Sequence, residues 1–467
     1  CMAANGIKAY IFPSLRPTPM LSFALRELGC TAGVVVTASH NPPQYNGYKV
    51  YWEDGAQITA PKDKQIITEV QAITDFAQVK TMSEEDAKAA GLYEVIGEEI
   101  DDRYMEALKN LVLRPEAIKE QADKLKIVYT PLHGTGNIPV RRVLKELGFN
   151  NVYVVKEQEL PDGDFPTVSY PNPEDKNAFT LALKLAAEVD ADIVLATDPD
   201  ADRLGIYAKN EKTGEYESFT GNMSGMLILE YLLSQRKELG MLPENGAVVT
   251  TIVSGKMARV IAKEYNVALI ETLTGFKYIG EQIKFFEQNH DYEFLFGYEE
   301  SYGCLEGTHA RDKDAVVAVM ALCEAAAYYK SKGITLCEQM EKLYQKYGFY
   351  KESLFFQTFP GAEGKAKIDG LMDALRNQPP KQVGPFKVTA LEDYKKSVRT
   401  DIATGETSAL TLPESNVLYF ELEDGAWFCV RPSGTEPKIK YYAGVKGTDA
   451  QDAADKLEAL SKAVVEL

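Results

Sequence analysis

The sequence has few cysteines, no long apolar run and no excess of positive charge. Its six cysteines form no CxxC pair and show no histidine spacing, which predicts neither a disulfide framework nor a zinc site and favours the reducing cytoplasm. No run of about 18 apolar residues occurs, and no basic segment leads into an apolar one, so neither a membrane-spanning helix nor a secretory signal is expected. The net charge of −18 would repel nucleic acid and anionic lipid, so an anionic ligand requires a local cluster of cations or a metal.

The length and the alternation of apolar runs predict several α/β domains. A chain of 467 residues is too long for a single hydrophobic core. Since domains usually have about 100 to 200 residues, three or four domains are expected. Short Val- and Ile-rich runs alternate with helical stretches, which favours the parallel α/β class with strands buried on both faces. The predicted strands are 33–36, 127–130, 193–196 and 294–296, and the predicted helices include 179–188, 225–233 and 315–329.

The texture of the sequence changes near Lys351. A Pro/Gly-rich stretch precedes strand-like segments at 417–422 and 426–430 and a helix from about Asp449, which predicts a smaller α+β domain. Four domains are therefore expected, at 1–100, 101–215, 216–350 and 351–467. The chain opens at Cys1 without an initiating Met, and residues 1–12 predict the end of a helix followed by a strand, as expected of a fragment that lacks its true N-terminus.

A hydroxyl is displayed where the first predicted strand ends. Residues 37–43 read TASHNPP, in which Ser39 is a candidate nucleophile and the nearby Lys49 a candidate cation or proton carrier. The alternative is a capped turn, because Ser, Asn and Pro are ordinary turn residues. His40 is a candidate site residue, but not thereby the base for Ser39, because consecutive strand side chains point to opposite faces.

Three carboxylates follow another predicted buried strand. Asp198, Asp200 and Asp202 alternate in the segment DPDADR, so they can converge on one hard cation such as Mg²⁺. The sixth and twelfth loop positions are Arg203 and Lys209 in place of the Gly and Glu of an EF-hand. A solvated acidic turn is the alternative, weakened by the mutual repulsion of three like charges.

A third loop, GYEESYG at 297–303, combines acceptors for sugar hydroxyls with cations for phosphate. The candidate ligand residues are Glu299 and Ser301 in this loop and His309, Arg311 and Lys313 in the segment that follows it. The upstream segment TGFK supplies weaker candidates in Thr274, Gly275 and Lys277, and it could equally be a turn before a helix.

A fourth loop, RPSGTEP at 431–437, has the composition of a phosphate cradle. The side chains of Arg431, Ser433 and Thr435 can bind phosphate oxygens, as can the backbone near Gly434, with charge added by Lys440 or its neighbour Lys438. A plain hairpin loop is the alternative interpretation.

Taken together, a hydroxyl nucleophile, a metal triad, a polyol loop and a phosphate cradle indicate phosphoryl transfer to and from a sugar phosphate. No GxxxxGK[ST] pattern is present, which argues against a P-loop nucleotide as the donor. The GxGxx element at 134–138 is too weak to predict dinucleotide binding.

At these four loops the sequence resembles the α-D-phosphohexomutase superfamily, whose members carry TASHNP, DPDADR, GEESFG- or GEMSG-type and RPSGTEP-like loops in this order. The resemblance implies four domains around a central cleft, three of them α/β with mixed sheets and the last smaller. They would in turn carry the phosphoserine, the metal, the sugar and the phosphate site, and the first would be N-terminally incomplete, because relatives have a longer segment before the active serine.

The resemblance also implies roles for the residues. Ser39 would be phosphorylated, and its phosphate would hold Mg²⁺ together with Asp198, Asp200 and Asp202 while Arg203 steadies the site. Glu299 and Ser301 would bind sugar hydroxyls. The non-reacting phosphate would be held by Arg431, Ser433, Gly434 and Thr435.

The implied reaction is the reversible conversion of glucose 1-phosphate and glucose 6-phosphate, with glucose 1,6-bisphosphate as intermediate and activator. The Glu-Glu-Ser form of the sugar loop favours glucose, and mannose or pentose phosphates are the alternatives within the superfamily. A phosphatase that uses the same phosphoserine and a non-catalytic sugar-phosphate binding protein are the rival functions. The sequence leaves the oligomeric state open.

Overall fold

A computed structural model describes residues 1–360, 363–433 and 437–467 of the chain. The chain divides into two compact units, Cys1–Val249 with Gly275–Cys337 and Thr250–Thr274 with Glu338–Leu467. In the described ranges no helix combines the length and the apolar character needed to cross a membrane.

The first hundred residues form two small sheets and their flanking helices. Strands β1 and β4 pair in parallel, and β2 and β3 pair antiparallel. The elements are β1 (Ala9–Ile11), α1 (Thr18–Glu27), β2 (Ala32–Val36), β3 (Tyr48–Trp52), α2 (Lys62–Ala72), α3 (Glu84–Ala89), β4 (Tyr93–Val95) and α4 (Glu98–Lys109). The prediction that the strand before Ser39 is buried on both faces is wrong, because β2 has exposed ends and a half-buried centre and pairs only with β3.

A five-stranded mixed sheet positions the acidic loop. Its order is β6-β5-β7-β8-β9, in which β5 pairs in parallel with β6 and β7, while β8 and β9 are antiparallel additions. The elements are α5 (Pro115–Gln121), β5 (Ile127–Thr130), α6 (Asn137–Glu146), β6 (Val152–Val154), α7 (Thr180–Val189), β7 (Ile193–Thr197), β8 (Leu204–Lys209) and β9 (Tyr216–Phe219). Every residue of β5 and β7 is buried, as predicted, so the loop after β7 starts inside the domain.

A second mixed sheet positions the predicted sugar loop. Its order is β11-β10-β12-β13, with β10 and β12 parallel and β13 antiparallel to β12. The elements are α8 (Gly221–Glu238), β10 (Gly246–Thr251), α9 (Met257–Glu264), β11 (Ala268–Thr272), α10 (Phe276–Asn289), β12 (Glu293–Tyr298), β13 (Cys304–Glu306), α11 (Ala315–Ser331) and α12 (Leu336–Tyr347). The residues GYEESYG form the connection between β12 and β13.

The C-terminal part is built on an antiparallel sheet of eight strands. The order is β14-β21-β20-β19-β16-β17-β18, and β15 pairs with β16 outside this path. The elements are β14 (Phe349–Thr358), α13 (Gly364–Asn377), β15 (Gln382–Val383), β16 (Phe386–Asp393), β17 (Val398–Asp401), β18 (Thr407–Ala409), β19 (Leu418–Leu422), β20 (Trp427–Pro432), β21 (Lys438–Gly447) and α14 (Ala450–Val465). Residues of this sheet and of α13 and α14 form one apolar core, which accounts for the change in sequence texture near Lys351.

Candidate active site

Ser39 lies in a tight turn between β2 and β3. Its backbone adopts a φ of +52°, in the left-handed region that few non-glycine residues occupy. The Ser39 amide donates a hydrogen bond of 2.8 Å to Thr37 Oγ1. A Cβ at Gly47 would lie 2.4 Å from the Thr37 carbonyl oxygen, so glycine lets the chain return to β3 beside this turn. The turn is thus fixed from both of its ends.

The Ser39 hydroxyl contacts both His40 and an acidic residue. Ser39 Oγ donates to Asp198 Oδ2 at 3.1 Å, and His40 Nδ1 lies 3.2 Å from the same Oγ. The expectation that these neighbours point to opposite faces is wrong, because they occupy a turn and not a strand. Burial, and then the charge of Arg203, lower the pKa of His40 to about 2, so its imidazole is neutral.

Asp198, Asp200 and Asp202 converge directly after β7. All three side chains are buried, and one oxygen of each lies within 4.8 Å of the others. Ala201, between the last two, has a φ of +51°, which turns the loop back on itself. The sequence prediction that these alternate carboxylates meet is confirmed.

Protein donors hold both oxygens of Asp198 and one oxygen each of Asp200 and Asp202. Asp198 Oδ1 accepts hydrogen bonds of 3.0 Å from the backbone amides of Asp202 and Arg203. Asp200 Oδ2 accepts from Thr18 Oγ1 at 2.9 Å. The other oxygens of Asp200 and Asp202, both Oδ1, are buried and have no hydrogen-bond partner among the described residues.

These unpartnered oxygens fit a divalent cation. Buried acceptors without donors are costly, and carboxylate oxygens are the ligands that Mg²⁺ prefers. Burial, and then the charges of Asp200 and Asp202, raise the pKa of Asp198 well above its usual range. A cation bound to the three carboxylates would reduce their mutual repulsion and give the unpartnered oxygens a ligand.

Two lysines neutralise part of this charge. Lys49 Nζ, on β3, lies 2.8 Å from Asp200 Oδ2 and 3.2 Å from Asp202 Oδ2, and Lys313 Nζ lies 3.2 Å from the same Asp202 oxygen. Burial opposes the charge of Asp202, but Lys313 and Lys49 outweigh it and lower the pKa of that carboxyl. A Cβ at Gly303 would lie 2.0 Å from Lys313 Cδ, so a larger residue at 303 would displace the lysine side chain from this position.

Two acidic residues that the sequence did not predict form ion pairs with cations of the site. Asp312 is buried, lies 3.3 Å from Lys313 Nζ, and accepts hydrogen bonds from Tyr51 (2.6 Å) and Gln57 (2.7 Å). Glu174 pairs with Arg203. The run Arg-Asp-Lys-Asp at 311–314 was the available signal for Asp312, whereas nothing local marks Glu174.

The connection between β12 and β13, which is predicted to bind the sugar, lies beside the acidic cluster. Glu299 is 6% exposed, and its Oε1 lies 3.9 Å from Lys313 Nζ. The Leu204 amide donates to the Tyr302 carbonyl at 3.0 Å, which ties this loop to the end of the acidic loop. Ser301 is half-buried in the same connection.

Other predicted ligand residues lie in different surroundings. The His309 side chain is 6% exposed and lies against Asp314, with Nε2 2.7 Å from Oδ2, and Arg311 is buried in an ion pair with Glu287. Thr274 and Gly275 immediately precede α10, and Lys277 lies in its first turn with Nζ 5.1 Å from the centre of the Tyr278 ring. The roles of these five residues stay predictions.

The predicted phosphate loop joins β20 to β21 in the second unit. Arg431 and Lys440 are register partners on these strands, and the Ser433 amide donates to the Lys438 carbonyl at 2.8 Å. Two cations and a hydroxyl residue thus frame the mouth of the hairpin. The predicted ligands Gly434 and Thr435 lie outside the described residues.

Comparison with known proteins identifies the family. Models of the phosphoglucomutase/phosphomannomutase family match in order: α/β/α domain I at residues 1–76, domain II at 102–213, domain III at 220–347 and the C-terminal domain at 378–460. The phosphoglucomutase of Staphylococcus epidermidis is 40% identical over 446 residues, which cover 95% of this chain and 79% of the relative. A phosphoglucomutase of Staphylococcus aureus is 37% identical over 459 residues, which cover 98% and 80%.

A solved structure has the same fold. The open form of pp63/parafusin, a phosphoglucomutase from Paramecium, superposes with a TM-score of 0.67 at 18% identity, covering 98% of this chain and 81% of that one. The predicted four-domain α/β architecture with mixed sheets is thereby confirmed. The chain belongs to the phosphoglucomutase/phosphomannomutase family of phosphotransferase mutases.

Proposed function

We propose that this chain interconverts glucose 1-phosphate and glucose 6-phosphate through a phosphorylated Ser39. The observation that carries the proposal is the hydrogen bond of 3.1 Å between Ser39 Oγ and Asp198, one of three converging buried carboxylates. A hydroxyl at the edge of such a cluster is placed for phosphoryl transfer assisted by a divalent cation. The relatives named phosphoglucomutase, at 37 to 40% identity, support this reaction.

Mg²⁺ bound by Asp198, Asp200 and Asp202 would neutralise charge on the transferring phosphoryl group. Phospho-Ser39 would donate that group to the free hydroxyl of the hexose phosphate, and the bisphosphate formed would return its other phosphate to Ser39. Arg203, held by Glu174, would steady the acidic loop. Lys49 would hold or move the proton of the attacking or leaving oxygen.

Substrate binding is proposed to use the two remaining loops. Glu299 and Ser301 would accept sugar hydroxyls, and Lys313 would add positive charge beside them. Arg431, Ser433 and Lys440 would bind the phosphate that does not react. His40, neutral and 3.2 Å from Ser39 Oγ, would orient the serine hydroxyl.

Ser39 must be phosphorylated before the first turnover, and the enzyme must reside where its cysteines stay reduced. Glucose 1,6-bisphosphate would phosphorylate Ser39 before the first turnover and act as an activator. None of the six cysteines forms a disulfide, which supports a reducing compartment, and we place the enzyme in the cytoplasm.

The test is conversion of glucose 1-phosphate to glucose 6-phosphate with Mg²⁺ and a trace of glucose 1,6-bisphosphate. Ser39→Ala should abolish turnover, whereas Ser331→Ala, whose hydroxyl bonds a backbone carbonyl at the end of α11, should leave it unchanged. EDTA should stop the reaction and added Mg²⁺ restore it. Residual turnover in Ser39→Ala would refute the nucleophile.

The same assay ranks the sugars. Mannose 1-phosphate and pentose 1-phosphates are offered at equal concentration, and glucose 1-phosphate should give the highest kcat/KM. A higher value for mannose or pentose phosphate would transfer the assignment to that substrate.

A further inference from the structure

The acidic loop is anchored through three consecutive carbonyl groups. The carbonyl of Pro199 accepts a hydrogen bond from the Thr135 amide (2.8 Å), that of Asp200 from the Thr18 amide (2.9 Å), and that of Ala201 from the Ala315 amide (3.1 Å). The three donors come from three separate segments of the chain. The loop that carries the three carboxylates is therefore fixed by its surroundings.

Of these three donors, only Thr18 also bonds a carboxylate oxygen of the loop by its side chain. Its hydroxyl donates to Asp200 Oδ2 at 2.9 Å, whereas the Thr135 hydroxyl bonds the Pro199 carbonyl at 3.0 Å. Thr18 is fully buried, at 0% exposure. Thr18 thus holds both the backbone and the side chain of Asp200.

The hydroxyl of Thr18 is not used to cap its own helix. Helix α1 has Pro17 at its N-cap with no side-chain capping bond, and a proline follows Thr18. Such a start needs little further stabilisation, because proline has no amide hydrogen to satisfy. The hydroxyl is therefore available to the carboxylate 182 residues away.

The donors on Asp200 divide its two oxygens. Thr18 Oγ1 and Lys49 Nζ both donate to Oδ2, while Oδ1 is buried without a hydrogen-bond partner among the described residues. A carboxylate is planar, so two donors that fix Oδ2 also fix the direction of Oδ1. A group that hydrogen-bonds a metal-binding side chain, without binding the metal itself, orients that side chain and strengthens metal binding.

We propose that Thr18 is a positioning residue that orients Asp200 for the divalent cation. The inference rests on the proposed metal site, and it adds a residue of α1 to the machinery of that site. Thr18 acts through Asp200 and has no contact of its own with the cation.

The test measures Mn²⁺ affinity by electron paramagnetic resonance on the full chain, with equal phosphorylation of Ser39 verified by intact mass. Thr18→Val keeps the shape and loses the hydroxyl, and its Kd for Mn²⁺ should rise about 10- to 100-fold. Thr18→Ser keeps the hydroxyl and should stay within about threefold of the original protein. Thr135→Val, which loses a hydroxyl bonded only to the Pro199 carbonyl, is the matched control and should also stay within about threefold.

Equal Mn²⁺ affinity of Thr18→Val and the original protein would overturn the proposal, as would a Thr18→Ser variant as weak as Thr18→Val. Should Thr18→Val fail to fold, the Kd for Mn²⁺ of Thr18→Ala is compared with that of Thr18→Ser. Thr18→Ala should then bind Mn²⁺ more weakly, because it lacks the same hydroxyl. Absence of Mn²⁺ binding by the original protein would instead refute the metal site on which the inference rests, so the two failures are distinguishable.

Discussion

At the scale of single residues, two equally buried carboxyl groups in the first unit have pKa values shifted in opposite directions. Asp202 is buried beside Lys313 and Lys49, whose charges lower its pKa. Glu306, on β13, is equally buried, but its closest cation is Arg236 at 3.7 Å, and neither of its carboxylate oxygens has a hydrogen-bond partner among the described residues. Burial therefore dominates and raises the pKa of Glu306 to about 8. Whether a buried carboxylate is charged is decided by the cations within reach.

The raised pKa of Glu306 predicts that the free energy of unfolding falls as the pH rises. Below about pH 4.5 the group is protonated in both states, and between there and about pH 8 the unfolded chain ionises while the folded chain resists. Unfolding is thus increasingly favoured over this range, by an amount on the order of a few kcal/mol. Glu306→Gln removes the effect, so the Tm of the variant minus that of the original protein should be larger at pH 8 than at pH 5.

Thermal scans across this range provide the measurement. Glu85→Gln, at an exposed position in α3, is the control and should give a Tm curve parallel to that of the original protein. A Tm difference for Glu306→Gln that does not change with pH would contradict the raised pKa.

At the scale of elements, the start of α11 ties together three parts of the first unit. Asp314 caps this helix by accepting from the amides of Val316 (2.8 Å) and Val317 (3.1 Å). The same carboxylate accepts from Tyr104 on α4 and contacts His309 Nε2 at 2.7 Å. Since Lys313 precedes this cap and the Ala315 amide bonds the acidic loop, the cap also fixes the site.

We expect Asp314→Ala to be far more destabilising than loss of an ordinary cap. An N-cap contributes about 1 kcal/mol, and each of the two buried partners left unsatisfied, Tyr104 and His309, costs about 1–3 kcal/mol, which together predict a loss of about 3–7 kcal/mol. Urea unfolding followed by circular dichroism measures the loss. Asp314→Asn, which keeps an acceptor oxygen, should recover part of it.

Thr220→Ala is the matched control for this prediction. Thr220 caps α8 in the same unit through a single bond of 3.2 Å to the Met223 amide, and it is exposed. Its loss should cost about 1 kcal/mol. Equal costs for the two variants would show that the Tyr104 and His309 contacts of Asp314 add nothing.

At the scale of the whole molecule, the two compact units differ in what they carry. The first contains Ser39, the three carboxylates and both lysines, and the second contains the hairpin with Arg431 and Lys440. The chain has two tryptophans, Trp52 in the first unit and Trp427 in the second. Trp427 is 3% exposed and stacks on Tyr419, whereas Trp52 is half-buried beneath Lys62. Each unit therefore has its own fluorescence reporter.

A divalent cation should stabilise the first unit selectively, because the proposed metal ligands Asp198, Asp200 and Asp202 all lie in that unit. At a concentration 100 times its Kd, a ligand that binds only the folded state adds about 2.7 kcal/mol. In Trp427→Phe, where Trp52 reports, Mn²⁺ should raise the denaturant midpoint. In Trp52→Phe, where Trp427 reports, the midpoint should move much less, and equal shifts would contradict independent unfolding of the units.

The sequence by itself determined the parts of this protein. Strands such as β5 and β7 are continuous apolar runs with no polar face, so their burial and the loops that follow them could be predicted from local composition. The convergence of Asp198, Asp200 and Asp202 followed from their alternate spacing, and the order of the four loops indicated the family. These are properties of short segments, in which neighbouring residues are constrained by the backbone itself.

Only the tertiary structure decided which distant side chains complete the site. Thr18 and Glu174 reach Asp200 and Arg203 from other segments, and Thr-Pro at 18–19 looks in sequence like an ordinary helix start. The contact of Ser39 with His40 depended on a turn with positive φ, which alternation along a strand does not predict. The physical reason is common to all: a hydrogen bond acts over about 3 Å in space, and only the folded chain determines which groups come within that distance.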